Sequence, residues 1–519
     1  MNRRDVLGLA GLPLAGCAPR DEPIAAAWVG SDPARGHRLR RGDPLPSAAV
    51  QRRAQVLVVG GGIAGLAAAR GFVRRGIHDV RVLEMEDSPG GNSRGHTLGG
   101  LACPLGAHYL PLPMPQSHEV TEWLHEIGLL KTVLGRAVPD ERHLCHSPQE
   151  RIFVDGAWAE GLLPPVQPGT AFAQQATRFA HQVAQAQGRA GGNFALPAHR
   201  SGWGAMQQTL NGITFGDWLA QHRFDDPRLR WYLDYCCRDD YGADAASVSA
   251  WAGLHYFASR HGFGAPGQAE AERDAVFTWP EGNAWLVRQL ATPLGDRVLP
   301  GNSVLRVAEG RHDVEVLAWN QAARQVETWT AQRVVLALPL FIGARVLDSP
   351  PPALVQAAGL LRYAPWLVAN LELHEPLLDR PGAPPAWDNV IFGSRGLGYV
   401  DAMHQSLRSH AGPTVITAYH ALHGDAERAA MLTPDPVAWA DRVLADLAIA
   451  HPDIRRRVRR IELARFGHAM AVPRPGVHRH PALTALRAQR GRVRFAHADL
   501  AGYSVFEEAF TAGSEAALG

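Results

Sequence analysis

Three glycines and one carboxylate carry the first chemical signal. Gly60, Gly62 and Gly65 fit G-x-G-x-x-G in "VLVVGGGIAGLAAARGFVRRG", directly after an apolar run from Val56 to Val59. Glycine permits a tight turn and close approach of the backbone to a diphosphate. The N–H groups at the following helix start, around Ile63 and Ala64, then face the anion. A second short strand, Val80 to Leu83, ends in Glu84, about twenty residues beyond Gly65. A carboxylate there accepts hydrogen bonds from a ribose hydroxyl pair, whereas a basic residue would suit a 2′-phosphate. The elements that position these residues are strand, glycine turn, helix and parallel strand. They predict an α/β fold with a Rossmann-like dinucleotide-binding domain.

The C-terminal stretch "GRVRFAHADLAGYSVFEEAFTAGSEAALG" adds a second cradle. Its short strand, Val493 to Ala496, ends near Asp499, and a turn leads into a helix from about Phe506. A strand, an acidic residue and a helix N-terminus together suit a phosphate and a polyhydroxyl chain. The glycine loop by itself does not choose between NAD and FAD.

At 519 residues the chain has room for two to four domains, and its formal net charge of +2 leaves no footprint for nucleic acid. Arginine replaces lysine almost everywhere; Lys131 is the single lysine. The opening "MNRRDVLGLAGLPLAGCAPRD" carries paired arginines, a short apolar run and Leu14-Ala15-Gly16-Cys17. It resembles a bacterial twin-arginine signal joined to a lipoprotein cleavage box. That resemblance implies lipidated Cys17, passage through the twin-arginine translocase, and a lipid anchor on the periplasmic side of a bacterial membrane. Residues 18–53 are Pro-, Gly- and Arg-rich and read as a tether, in part ordered against the body. No apolar stretch is long enough for a transmembrane helix. Cys103, Cys145, Cys236 and Cys237 have no zinc spacing, and the adjacent pair suits buried thiols better than a strained disulfide. The scattered histidines of "HLCH" and "HRH" lack a third ligand, so no metal site is expected.

Together, "GGGIAGL", Glu84, "GGNSR" and "FAHAD…FEEAFTAG" resemble the N- and C-terminal FAD motifs of the flavin amine oxidase and phytoene desaturase superfamily. The resemblance implies FAD, bound without a cysteinyl link because no cysteine follows Cys237. It implies an interrupted Rossmann-like FAD domain of residues 54–115, 272–345 and 465–519. Residues 116–271 and 346–464 would form a mixed α+β substrate domain. By the same resemblance Gly90, Gly91, Asn92, Arg94, Gly106, Ala107, His108, Val304, Ala337, Asp499 and Glu507 join the glycine loop as cofactor contacts.

The chain departs from that family in three places. Asn92 stands where arginine is common, leaving Arg94 as a substitute contact. Pro104 stands at an acidic position of "CPLGAHYL". The strand "APWLVANLELHEPL" lacks the lysine that holds a water near the flavin, which implies low oxygen reactivity or another group holding that water.

Two places are unusually polar. "RWYLDYCCRDDYGADAASV" places Arg238, Asp239 and Asp240 at an apolar helix end. They form either a structural ion pair or a cation-binding, proton-handling site. "RFGHAMAV" precedes the last motif, and His468 is either a core histidine or faces the flavin with Tyr503 opposite. Asp239, His468 and Tyr503 are the candidate catalytic residues. The expected function is an FAD-dependent oxidoreductase taking a hydride from an amine, with a polyamine as first candidate, and passing electrons to oxygen or another acceptor. The alternatives are a desaturase or isomerase of an apolar substrate and a non-catalytic FAD-binding lipoprotein.

Overall fold

A computed structural model describes residues 24–41, 47–188, 193–264, 275–378, 380–406, 408 and 412–518. The signal segment and Cys17 lie outside the described residues. Two large sheets organise the chain. The first has seven strands, with Val50–Val59 at its centre between parallel neighbours Val80–Leu83 and Gln325–Leu336. Gln325–Leu336 is long enough to serve two partners. Its first part pairs antiparallel with Val314–Asn320, and its last residues pair parallel with Val493–Phe495. Asn302–Glu309 closes the sheet as an edge strand.

Why Val56 to Val59 form the central strand follows from burial on both faces. Val56 and Val58 pack into the core beneath the helix Ile63–Arg74, while Leu57 and Val59 pack into the core on the opposite face. A run apolar at every position is what a parallel strand covered on both sides requires.

The second sheet has eight strands in the order 25–29, 458–471, 363–373, 414–421, 399–401, 388–391, 150–154 and 157–160. One face packs against a helical layer that includes Ala171–Gln187, Pro227–Tyr241 and Ala250–Tyr256. Its other face covers Val437–Leu447. Helices and strands therefore mix in this half, as expected.

The expected divisions shift in three ways. The strand Val458–Ala471 runs unbroken through residue 465, because its pairing with Tyr363–Leu373 extends over its whole length. The helix His118–Glu126 belongs to the FAD half, since Val120, Trp123 and Leu124 pack into the core under the glycine helix. Much of the expected tether is ordered: Ala25–Val29 pairs parallel with Val458–Ala471, Pro33–Arg41 is helical, and the central strand starts at Val50. Lys131 lies exposed in the strand Leu130–Val133. Among the described residues, no helix is long and apolar enough to cross a membrane.

Candidate active site

The glycine turn is built by contacts that no side chain would permit. A Cβ on Gly65 would sit 1.8 Å from the Gly60 carbonyl oxygen, and one on Gly60, at φ +103°, would sit 2.4 Å from that of Ala337. Gly62 instead faces Gly91 across open space, where a Cβ would find only the Gly91 Cα at 3.9 Å. The helix Ile63–Arg74 starts at Gly62 with no side-chain cap and no acid in its first turn. Its leading N–H groups are left for an anion.

These residues open onto a cleft of about 400 Å³ shared with Glu84, Val304, Ala337 and Asp499. Glu84 is buried. Its Oε2 accepts from the Gly61 N–H at 2.7 Å and its Oε1 from that of Glu86 at 2.8 Å, so each oxygen keeps a lone pair for a ribose hydroxyl. Val304 lies at a bulge of the edge strand, between Val304 and Arg306, which presents backbone groups to the cleft. Asp499 accepts from the Leu340 N–H at 2.9 Å and the Tyr363 hydroxyl at 2.5 Å through Oδ2. Its buried Oδ1 lies 3.1 Å from Nδ1 of His497, which also lines the cleft. An open glycine cradle with a buried carboxylate whose oxygens each keep a lone pair for a ribose hydroxyl fits FAD.

Asn92, Ala107, Ala469 and Ser504 to Phe506 line both this cleft and a second, inner cavity of about 150 Å³. The isoalloxazine end of the cofactor belongs at that junction. Asn92 is fixed there by its Nδ2 donating to the Ala469 carbonyl at 2.6 Å and its own carbonyl accepting from the Ala107 N–H at 2.8 Å. The helix Phe506–Ala516 starts at the junction with no side-chain cap, which leaves its first N–H groups without a side-chain partner.

The inner cavity is lined by both aromatic and charged side chains. His108 and Tyr419 stack with ring centroids 4.5 Å apart, and Tyr109 and Trp366 also line the cavity. The Tyr419 hydroxyl donates to the Gly106 carbonyl at 3.0 Å. Burial pushes His108 down to about 4, so its ring is neutral. Asp239, Asp240 and Arg260 line the same cavity. Consecutive residues of the helix Pro227–Tyr241 point about 100° apart. Asp240 turns to Arg260, with Oδ1 and Nη1 2.7 Å apart, in a pair buried on both sides. Asp239 is not part of that ion pair. Burial, reinforced by the Asp240 charge, pushes its carboxyl up to about 7.

Of the three candidate catalytic residues, Asp239 alone lines the inner cavity. Tyr503 is fully buried beneath the last helix and donates to Glu508 at 3.0 Å. His468 is exposed at the outer rim of the cleft, its ring 4.7 Å from that of Phe341. The two do not face each other across the junction. Arg94 also differs from expectation. Its guanidinium donates to Ser31 Oγ at 2.7 Å and to the Gly91 carbonyl, and it does not line the cleft. Glu507 is buried away from the cleft, and its charge acts on Arg260. Sequence reasoning missed Arg260, Trp366 and Tyr419 as cavity residues. Their only signal was an aromatic-rich, apolar neighbourhood shared by many core positions.

Cys236 and Cys237 are buried free thiols, which their adjacency suggested. Among the described residues, no group of three or more His, Cys, Asp or Glu side chains could hold a metal ion.

A Rossmann-type sheet with a glycine cradle, a ribose-binding acid and an aromatic-lined cavity beside the cleft fits a flavin-dependent oxidoreductase, with FAD as its cofactor. The chain belongs to the family of flavin-containing amine oxidoreductases, whose profile matches residues 63–518. Its fold is similar to that of wild-type putrescine oxidase bound to putrescine, at 18% identity and TM-score 0.65, covering 90% of this chain and 98% of that one. It is similar to cyclohexylamine oxidase from Brevibacterium oxydans IH-35A, at 17% identity and TM-score 0.63, covering 89% and 98%. A fatty acid isomerase from P. acnes that produces CLA matches at 15% identity and TM-score 0.60, covering 89% and 97%. Among curated relatives, Protein anon-37Cs of Drosophila lebanonensis is 34% identical over 68 residues, a stretch spanning 13% of this chain and 12% of that protein.

Proposed function

We propose that this enzyme oxidises a small amine at the carbon bearing the nitrogen, with Asp239 as the residue that receives the ammonium group. The observation that carries this reading is a carboxylate outside the buried ion pair, sharing with aromatic residues the lining of a cavity next to the cofactor cleft. Bound FAD supplies the hydride acceptor. Asp239 holds the substrate cation and takes the proton that an ammonium must lose before its carbon can release hydride. Trp366, Tyr419 and Tyr109 exclude water and offer ring faces to the cationic end. A cavity of about 150 Å³ takes roughly six non-hydrogen atoms. Oxidases named for putrescine and cyclohexylamine, both short amines, are among the similar structures.

Asp239→Asn tests the assignment. Its KM for a responsive amine should rise about tenfold or more, as expected for loss of a charge-assisted contact. FAD affinity should stay unchanged. The parent KM should fall as pH rises through about 7, where Asp239 ionises, and the variant should lose that dependence. An unchanged KM with the pH profile intact would remove Asp239 from the reaction and return weight to an apolar substrate.

A further inference from the structure

The segment that precedes the glycine strand is built into the cofactor cleft. Ala25–Val29 is held on the edge of the eight-stranded sheet, from Ala25 opposite Arg460 to Val29 opposite Ala464. The chain then turns into the helix Pro33–Arg41, whose Arg35, Gly36 and Leu39 line the cleft beside Glu84 and Val304. Four contacts fasten it. Arg35 forms a two-pronged bond to Asp87, at 2.8 and 3.1 Å, and also donates to the Met85 carbonyl at 3.2 Å. Arg94 donates to Ser31 Oγ at 2.7 Å. The Arg38 guanidinium lies 4.0 Å from the centroid of a Trp319 ring. Leu39 packs against the core below the edge strand.

The cleft also has a charge problem. A diphosphate brings two negative charges, and the cleft already contains Glu84 and Asp499. Helix N-termini offer only about half a charge each. Among the described residues, Arg35 is the only arginine or lysine that lines the cleft. Its Nε makes no hydrogen bond and has only Asp32 Oδ2 at 3.6 Å, while both acidic partners, Asp32 at 49% and Asp87 at 81% exposure, are screened by water.

We propose that residues 25–41 form part of the FAD site, with Arg35 supplying the cationic contact for the cofactor's diphosphate and the helix walling in its adenosine half. Arg94 then acts as a positioning residue, tying this segment to the glycine loop through Ser31.

The test is a titration of deflavinated full-length protein with FAD and, separately, with riboflavin, which lacks the diphosphate and adenosine. Flavin fluorescence gives both affinities, and ADP serves as a competitor. Arg35→Gln should raise the FAD Kd about tenfold or more and weaken ADP competition to match, leaving riboflavin binding unchanged. Arg35→Lys should recover part of the loss, because it keeps the charge and loses the fork. It also gives a reading should the glutamine variant fail to accumulate. The proposal is overturned if the FAD Kd of Arg35→Gln stays within about twofold of the parent. It is equally overturned if FAD and riboflavin weaken alike, which would mean that Arg35 only supports the fold. Failure of the parent itself to bind FAD would instead overturn the cofactor assignment.

Discussion

Asp239 and Asp240 are chemical twins with different work, and the helix that carries them makes the division. Asp240 is committed to Arg260, which reaches it from a single π-turn, Phe257–His261. Such turns are rare and cluster at functional sites. The pair is buried, so removing one partner strands the other charge. Arg260→Met is expected to destabilise the protein by about 3–5 kcal/mol, and Arg260→Met with Asp240→Asn by clearly less. The pH dependence follows from Asp240, which burial raises above the usual carboxylate range. A raised carboxyl contributes stability below its ordinary range and loses it as pH rises. The single variant's melting temperature should therefore drop further below the parent's at pH 8 than at pH 5, and an equal drop at both would contradict this. The acidic pair was legible in the sequence because carboxylates stand out at an apolar helix end. Arg260 was not, since nothing local marks an arginine that pairs across 20 residues of intervening helix and turn.

At the scale of elements, two helices from opposite ends of the chain decide whether the cleft exists. The glycine helix Ile63–Arg74 and the last helix Phe506–Ala516 touch where Gly513 meets Ala64. A Cβ there would lie 2.0 Å from the Ala64 carbonyl oxygen and 3.0 Å from the Ala67 Cβ. Gly513→Ala must push the helices apart, at a cost of about 1–3 kcal/mol, and should lower bound FAD per protein as purified. Gly359→Ala is the control. No atom lies within 4 Å of its Cβ, and both melting temperature and flavin content should hold. Equal behaviour of the two variants would show that the helix contact is not needed. The glycine turn, Glu84 and the C-terminal strand and helix were readable because each is a local pattern with one physical purpose. The Gly513–Ala64 contact joins positions far apart in the chain, and a glycine inside a helix says nothing of its partner. Arg94 and Glu507 were misplaced for a related reason: spacing puts a residue near a site without saying which way its side chain turns.

At the scale of the molecule, the two sheets are joined on either side of the flavin junction. Val458–Ala471 carries Ala469 from the eight-stranded sheet to that junction. The ordered residues 25–41 join the same sheet and wall the cleft. The composition of residues 18–53 suggested a tether because Pro, Gly and Arg mask any periodicity. Edge pairing with a distant strand orders Ala25–Val29 and needs no periodic pattern. Export and lipidation at Cys17 are a proposal of the same scale: Cys17→Ser should lose partition into detergent, and retention would contradict an anchor at that residue. The central claim is that a flavin sits at the junction and is reduced by an amine in the inner cavity. The most direct measurement is the anaerobic visible spectrum of the purified protein before and after adding short amines, including putrescine and cyclohexylamine. The expected result is a yellow protein whose flavin absorbance bleaches with at least one of them. A protein that stays oxidised with every amine, but is bleached by an apolar substrate, would contradict it.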